Sequence, residues 1–167
     1  MFWIGGFVVS VLVAIAWQDF KFRAVYWWLF LLLFSGLWTI SLLEVGFPLA
    51  AERMLYNCAF VLLQVFLLSL YFAVKNRRWL NIFDGYFGLG DLCFLLAVSV
   101  YFSLTHYLFF YVLSLLFVVL ISGIIRLASP EVNLKIPLAG YQALCLICLL
   151  ITGFFFPVQA WLLSLGI

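Results

Sequence analysis

Two aspartates stand at the ends of hydrophobic segments in a chain that carries very little charge. Asp19 ends the first apolar run, and Asp91 closes the sequence Gly88-Leu89-Gly90-Asp91. An ionisable group at a membrane boundary is energetically costly and usually marks a functional site. Two carboxyl groups in one poorly solvated cleft share a proton, because both cannot ionise cheaply. The ionised one can then take a proton from water while the protonated one polarises a peptide carbonyl, as in aspartyl proteases.

The composition predicts that this chain lies in a membrane. Of its 167 residues, 69% are hydrophobic and 8% are charged, with a net charge of +2. The apolar runs are continuous and approach the roughly 20 residues that span a bilayer as a helix, whereas barrel strands would alternate apolar and polar residues. We expect an all-α, polytopic membrane bundle of about six helices, forming one domain over 1–167. The predicted spans are 2–18, 25–43, 55–74, the Gly-rich stretch to 104, 107–127 and 136–156.

Basic residues concentrate in alternate connections between the predicted spans. Under the positive-inside rule these connections face the cytosol, so both termini face outward and Asp19 and Asp91 lie on the cytosolic side. The other connections contain one basic residue, Arg53. The first stretch has no basic residue before it and no small-residue cleavage site, so we expect a retained helix rather than a signal peptide. The basic residues of the cytosolic connections are Lys21, Arg23, Lys75, Arg77, Arg78, Arg126 and Lys135.

Two glycines next to the second aspartate indicate a need for close approach. Gly88 and Gly90 remove side chains where the backbone meets another helix or a substrate strand. Each glycine in a helix lowers helix stability by about 1 kcal/mol relative to alanine. A requirement for space beside Asp91 would explain why both Gly88 and Gly90 are present despite this cost. A flexible entry into the fourth helix is the alternative.

Three charged residues are candidate neighbours of the acid pair. Lys21 and Arg23 could neutralise the pair or contact an acidic residue of a substrate, and positive-inside anchoring explains them as well. Asp84 precedes Asp91 by seven positions, so a continuous helix would place both on one face. It is either a third acid of the site or a solvated capping residue of the cytosolic connection.

Other polar residues in the apolar segments are interpreted as structural. Cys145 and Cys148 form a Cys-x-x-Cys inside an apolar run, and the single histidine, His106, is far away in sequence, so no metal, other cofactor or disulfide is expected. Asn57 and Gln64 are amides within the third predicted span, where such groups bond to a neighbouring helix. The sequence contains no phosphate loop or extended basic tail, and nucleic acid is not an expected partner.

Three blocks of the sequence resemble the type IV prepilin peptidase family of GxGD membrane aspartyl proteases. The resemblance is to the short members, which lack the amino-terminal methyltransferase and zinc-binding portion. Order, spacing and predicted sidedness agree across nearly the whole chain. The blocks are Asp19-Phe20-Lys21-Phe22-Arg23-Ala24-Val25, Gly88-Leu89-Gly90-Asp91 and Ile136-Pro137-Leu138-Ala139-Gly140.

The resemblance implies that Asp19 and Asp91 are the catalytic pair and that no metal cofactor is needed. It implies cleavage of the short basic leader of prepilin-like proteins at the cytosolic face of a bacterial inner membrane, in contact with lipid. From its residue type, Pro137 should open the last helix, and Gly140 should allow close packing, so both would shape the site.

The sequence departs from the family pattern at two positions. Tyr26 stands where the family usually has proline, and we expect the loss of this helix-start residue to be tolerated. Cys93 stands two positions after the second aspartate, where the family commonly has lysine. The missing positive charge would change substrate preference or the proton affinity of the acid pair.

Two other functions are compatible with the residues. A small transporter or ion-conducting subunit could use the acids as a cation site, although such a site should lie near the membrane midplane. A catalytically silent relative could act as a scaffold for pilus assembly. The sequence indicates no oligomeric state.

Overall fold

Five α-helices make up the part of the chain that the structure describes, which confirms the all-α prediction. The structure is a computed structural model that describes residues 2–77, 88–128 and 137–155. In chain order the helices are α1 (Phe2–Phe22), α2 (Trp27–Asn76), α3 (Leu89–Val98), α4 (Leu104–Ala128) and α5 (Leu138–Phe155).

Three of the described helices, α1, α2 and α4, are long and apolar enough to cross a membrane. Many large apolar side chains on the outer faces of the helices are exposed, as expected for contact with lipid. The ten residues of α3 span only about 15 Å, half of a hydrocarbon core. The prediction of six separate spans is therefore not supported: the second and third predicted spans are joined in α2, and the fourth contains this short helix.

A bend at Gly46 divides α2 into two parts that run in opposite directions. Gly46 has φ 80° and ψ 169°, which is not helical. Phe30 lies beside Gly90 at the start of α3, whereas Asn57 bonds to Ser99 just after its end. If α2 were straight, Phe30 and Asn57 would lie about 40 Å apart. The residues that they contact, Gly90 and Ser99, lie only about 14 Å apart along the axis of α3. The chain must therefore turn back, and α2 begins and ends at the same end of the bundle.

The bend replaces the loop that the sequence predicts between its second and third spans. Residues 47–56 include leucine, alanine, glutamate, arginine and methionine, all strong helix formers. Pro48 lies two positions after Gly46, in the first turn after the bend, where a missing N–H leaves no helical hydrogen bond unmade. Charged residues in this stretch therefore do not interrupt the helix, and glycine supplies the positive φ that the reversal requires.

The buried core joins α1, α2, α3 and α5, with the first residues of α4. α1 packs against both α2 and α5, and α2 packs against α3. Gly36 permits the close approach of α1 to α2, since a Cβ at this position would lie 2.6 Å from the Cγ2 of Val8. Tyr107 of α4 is fully buried and donates its hydroxyl to the Leu95 carbonyl at 3.0 Å.

Asn57 joins the second part of α2 to the turn between α3 and α4. Its amide nitrogen donates to the Ser99 carbonyl at 2.7 Å and to the Phe102 carbonyl at 2.8 Å. The side chain is fully buried. The sequence predicts a bond to a neighbouring helix; the structure instead places both acceptors in the turn that follows α3. The bonds supply donors to the carbonyl of Ser99, directly after the last residue of α3, and to that of Phe102, in the turn before α4.

Replacing Asn57 by alanine should destabilise the fold by about 1–3 kcal/mol, because two carbonyls lose their buried donor. The midpoint of thermal unfolding in detergent micelles measures the effect. Asn76→Ala is the matched control, since Asn76 is exposed and donates to the Phe72 carbonyl of its own helix. Equal midpoints for the two variants would contradict a stabilising role for Asn57.

Candidate functional site

Asp19 is buried because it continues the packed stripe of α1. Val8, Leu12 and Ile15 are fully buried at helical spacing, and Asp19 follows four positions after Ile15 with only 8% of its surface exposed. The helix ends three residues later. Arg23, with φ 53°, donates its backbone N–H to the Asp19 carbonyl at 3.0 Å. The carboxyl group thus lies on the inner face of the last turn of α1.

The beginning of α5 supplies hydrogen-bond donors to both aspartates. The Gly140 N–H donates to Oδ2 of Asp19 at 2.6 Å, and the backbone of Ala139 is hydrogen-bonded to Asp91. Pro137 directly precedes the helix and accepts from the Tyr141 N–H at 3.3 Å, which confirms its predicted position at the helix start. The first N–H groups of a helix lack intrahelical partners and carry a partial positive charge, so they stabilise carboxylates.

Asp91 lies in the first turn of α3, where an acid is favoured by the helix dipole. Gly88 precedes this helix in an extended conformation (φ −73°, ψ 127°). A Cβ on Gly88 would lie 2.5 Å from Oδ2 of Asp91, so any side chain there would displace the carboxyl group. Gly90 contacts the ring of Phe30 on α2, at 3.8 Å from the position of its absent Cβ. Gly88 therefore serves close approach, whereas a Cβ on Gly90 would make only an ordinary van der Waals contact.

The structure brings Asp19 and Asp91 together at one end of the bundle. The charge of Asp19 acts on Asp91, so the two carboxyl groups lie within electrostatic range. Asp19 is buried and Asp91 is partly buried. Adjacent carboxyl groups in such a setting bind a proton jointly. The pair can therefore offer one proton acceptor and one proton donor at the same time.

The three predicted charged neighbours differ in their placement. Arg23 lies close enough to Asp19 to act on it electrostatically. The ammonium group of Lys21 instead lies over the rings of Trp17 and Phe22, at 4.9 and 5.2 Å from their centroids, on the exposed surface. Asp84 falls outside the described residues. Arg23 therefore lies near the acid pair, while Lys21 lies against aromatic rings at the surface.

The structure describes both positions, Tyr26 and Cys93, at which the sequence departs from the pattern that it resembles. The backbone N–H of Tyr26 donates to Oε1 of Gln18 at 3.2 Å, a bond between α1 and the residue before α2 that proline could not make. Cys93 is exposed. Positions two apart on a helix point in nearly opposite directions, so Cys93 does not share a face with Asp91.

Two residues of this region were not singled out by the sequence. Ala139 contributes through its backbone, which the identity of its side chain does not reveal. Gln142, one turn later on α5, is fully buried, and neither polar atom of its amide has a hydrogen-bond partner among the described residues. A glutamine in the apolar stripe formed with Ala139, Ala143 and Leu146 is a signal that sequence reasoning could have used.

Comparison of the chain with protein-family models, curated proteins and solved structures finds no match. Among residues 2–77, 88–128 and 137–155, no group of three or more His, Cys, Asp or Glu side chains is placed to bind a metal ion. The described site contains two carboxyl groups and two backbone N–H groups.

Gly140→Ala should destabilise the protein by about 1–3 kcal/mol, as overpacking does in a close-packed site. The new Cβ would lie 3.2 Å from Oδ2 and 3.3 Å from Cβ of Asp19, and would push the carboxyl group off the N–H. Gly123→Ala is the control, because nothing lies within 4 Å of a Cβ there. Thermal unfolding in detergent should show a lower midpoint for the first variant and an unchanged or higher one for the second; the reverse order would disprove the close contact.

Proposed function

We propose that this chain is a membrane aspartyl endopeptidase that removes the short basic leader of prepilin-like proteins. The observation that supports it is the meeting of Asp19 and Asp91 at the first turn of α5, where consecutive backbone N–H groups bond to the two carboxyl groups. The three sequence blocks that resemble the prepilin peptidases supply these parts: the end of α1, the start of α3 and the start of α5.

The proposed reaction uses the pair as base and acid. The ionised carboxyl group takes a proton from a water molecule, whose oxygen attacks the carbonyl carbon of the scissile peptide. The protonated carboxyl group donates to the carbonyl oxygen and stabilises the tetrahedral intermediate. The carboxyl group that took the proton from water then donates it to the leaving nitrogen as the C–N bond breaks, and the other carboxylate regains its proton from a hydroxyl of the intermediate. The N–H groups of Ala139 and Gly140 keep the carboxyl groups in position and stabilise the negative charge that they share.

We further propose a multi-pass arrangement in a bacterial inner membrane. The two parts of α2 would cross separately, and α3 would cross together with the turn at 99–103, giving six crossings with both termini outside. The start of α3, the end of α1 and both ends of α2 lie at one end of the bundle, and basic residues gather there. That end would face the cytosol. The basic residues are Lys21, Arg23, Lys75 and Arg77.

Asp19→Asn and Asp91→Asn should each lower cleavage of a prepilin reporter by about 10²–10⁴-fold or more, because the pair loses its base or its shared proton. Leader removal in cells that co-express enzyme and reporter measures this effect. Asparagine has nearly the same shape, so the amount of protein in the membrane fraction should not change. Glu52→Gln is the matched control, since this exposed acid lies far along α2 from the pair and should leave cleavage unaltered.

Full cleavage by either aspartate variant would disprove the catalytic assignment. Absence of cleavage by the unaltered chain, together with an ion flux into liposomes that Asp91→Asn abolishes, would identify the acids as an ion site instead. Absence of both activities, with retained support of pilus assembly by the aspartate variants, would identify a scaffold.

The topology makes a separate prediction. Alkaline phosphatase inserted after Ser103, in the turn between α3 and α4, should be active because that turn faces outward. The same insertion after Arg77, at the end of α2, should be inactive because the basic end faces the cytosol. Activity at the second site would contradict the proposed sidedness, while membrane-fraction immunoblots control for the amount of each fusion.

A further inference from the structure

A cleft between the second part of α2 and α4 opens one helical turn from Asp91. It has a volume of about 90 Å³ and is lined by Val61, Gln64, Val65, Leu68, Leu95 and Tyr111. We name it the α2–α4 cleft. Leu95 of α3 follows Asp91 by four positions, so both side chains lie on one face of that helix, about 6 Å apart along its axis.

The lining combines apolar walls with one polar pair. The side chain of Gln64 lies close enough to interact with the hydroxyl of Tyr111. An amide and a hydroxyl together present both donors and acceptors, which match the C=O and N–H groups of an extended peptide. The ring of Tyr111 is fixed by an edge-to-face contact with Phe60, at 5.9 Å between centroids. The polar pair is therefore pre-positioned in an apolar surrounding.

The size of the cleft fits a single side chain. A volume of about 90 Å³ corresponds to about three water molecules, or to a branched aliphatic side chain. An extended peptide advances about 3.3 Å per residue, so a chain whose scissile bond is at Asp91 would reach Leu95 two residues further along. Because the cleft lies deeper in the bundle than Asp91, this residue belongs to the apolar segment that follows the cleaved bond.

We propose that the α2–α4 cleft is a substrate subsite that binds the apolar side chain of the second residue after the scissile bond, while Gln64 and Tyr111 bind the adjacent peptide backbone. This inference rests on the proposed peptidase function. The subsite would orient the membrane-buried part of the substrate so that the bond before it lies at the acid pair.

Filling the cleft should weaken substrate binding without removing the chemistry. Val65→Phe should raise KM for a prepilin reporter about tenfold while kcat changes little, since the catalytic groups are untouched. Leu63→Phe is the matched control, because Leu63 points away from the cleft and is exposed. Tyr111→Phe, which keeps the ring and removes the hydroxyl, should also raise KM, whereas Tyr56→Phe on the exposed face of α2 should not.

The substrate offers the reciprocal test. Aspartate at the second residue after the scissile bond should reduce cleavage strongly, and the same change at the second residue before it should have little effect. A cysteine at position 65, which is smaller than the native valine and leaves the cleft open, should capture by disulfide crosslinking a reporter with cysteine at the second residue after the scissile bond, in the Asp91→Asn background. A cysteine at position 63 should not.

Different results would overturn the subsite and the peptidase function. Normal cleavage by the unaltered chain with unchanged KM in Val65→Phe and no capture from position 65 would overturn the subsite alone. No cleavage of any prepilin reporter by the unaltered chain would overturn the peptidase function, and the subsite with it.

Discussion

The first turn of α5 is the constraint on which the site depends. Two carboxyl groups that approach each other repel, and each is costly to bury in an apolar bundle. The N–H groups of Ala139 and Gly140 offset that cost, because they have no partners within their own helix and lie at its positive end. Hydrogen bonds to charged groups contribute about 1.5–3 kcal/mol each. The acids therefore meet where the backbone can stabilise them.

Small residues make this meeting geometrically possible. Gly88 leaves room for the carboxyl group of Asp91, and Gly140 lets the backbone of α5 approach Asp19. Gly36 does the same between α1 and α2, away from the site. In a membrane, helix association depends on van der Waals contact and hydrogen bonds, so close backbone approach has a larger role than in water. At Gly140, the close packing of α5 on α1 and the hydrogen bond to Asp19 thus both favour glycine.

Much of this arrangement was predictable from the sequence, and the remainder has identifiable physical reasons. The helical class follows from continuous apolar runs, and the position of Pro137 from its fixed φ. The bend in α2 was missed because charged residues indicated a loop where strong helix formers and Gly46 produce a reversal. The sequence does not reveal the backbone donors of Ala139 and Gly140, because every residue except proline carries the same N–H group. The buried amide of Gln142 was visible as a polar residue on an apolar stripe.

The bond between Asp19 and Gly140 joins residues 121 positions apart. A ribosome synthesising this chain adds about 5–20 residues per second, so α1 precedes α5 by roughly 6–24 seconds. Throughout that interval the first acid has no α5 backbone to bond with. Assembly of the carboxyl pair is accordingly one of the late events of biosynthesis, and a nascent chain arrested before α5 would carry both acids without their shared support.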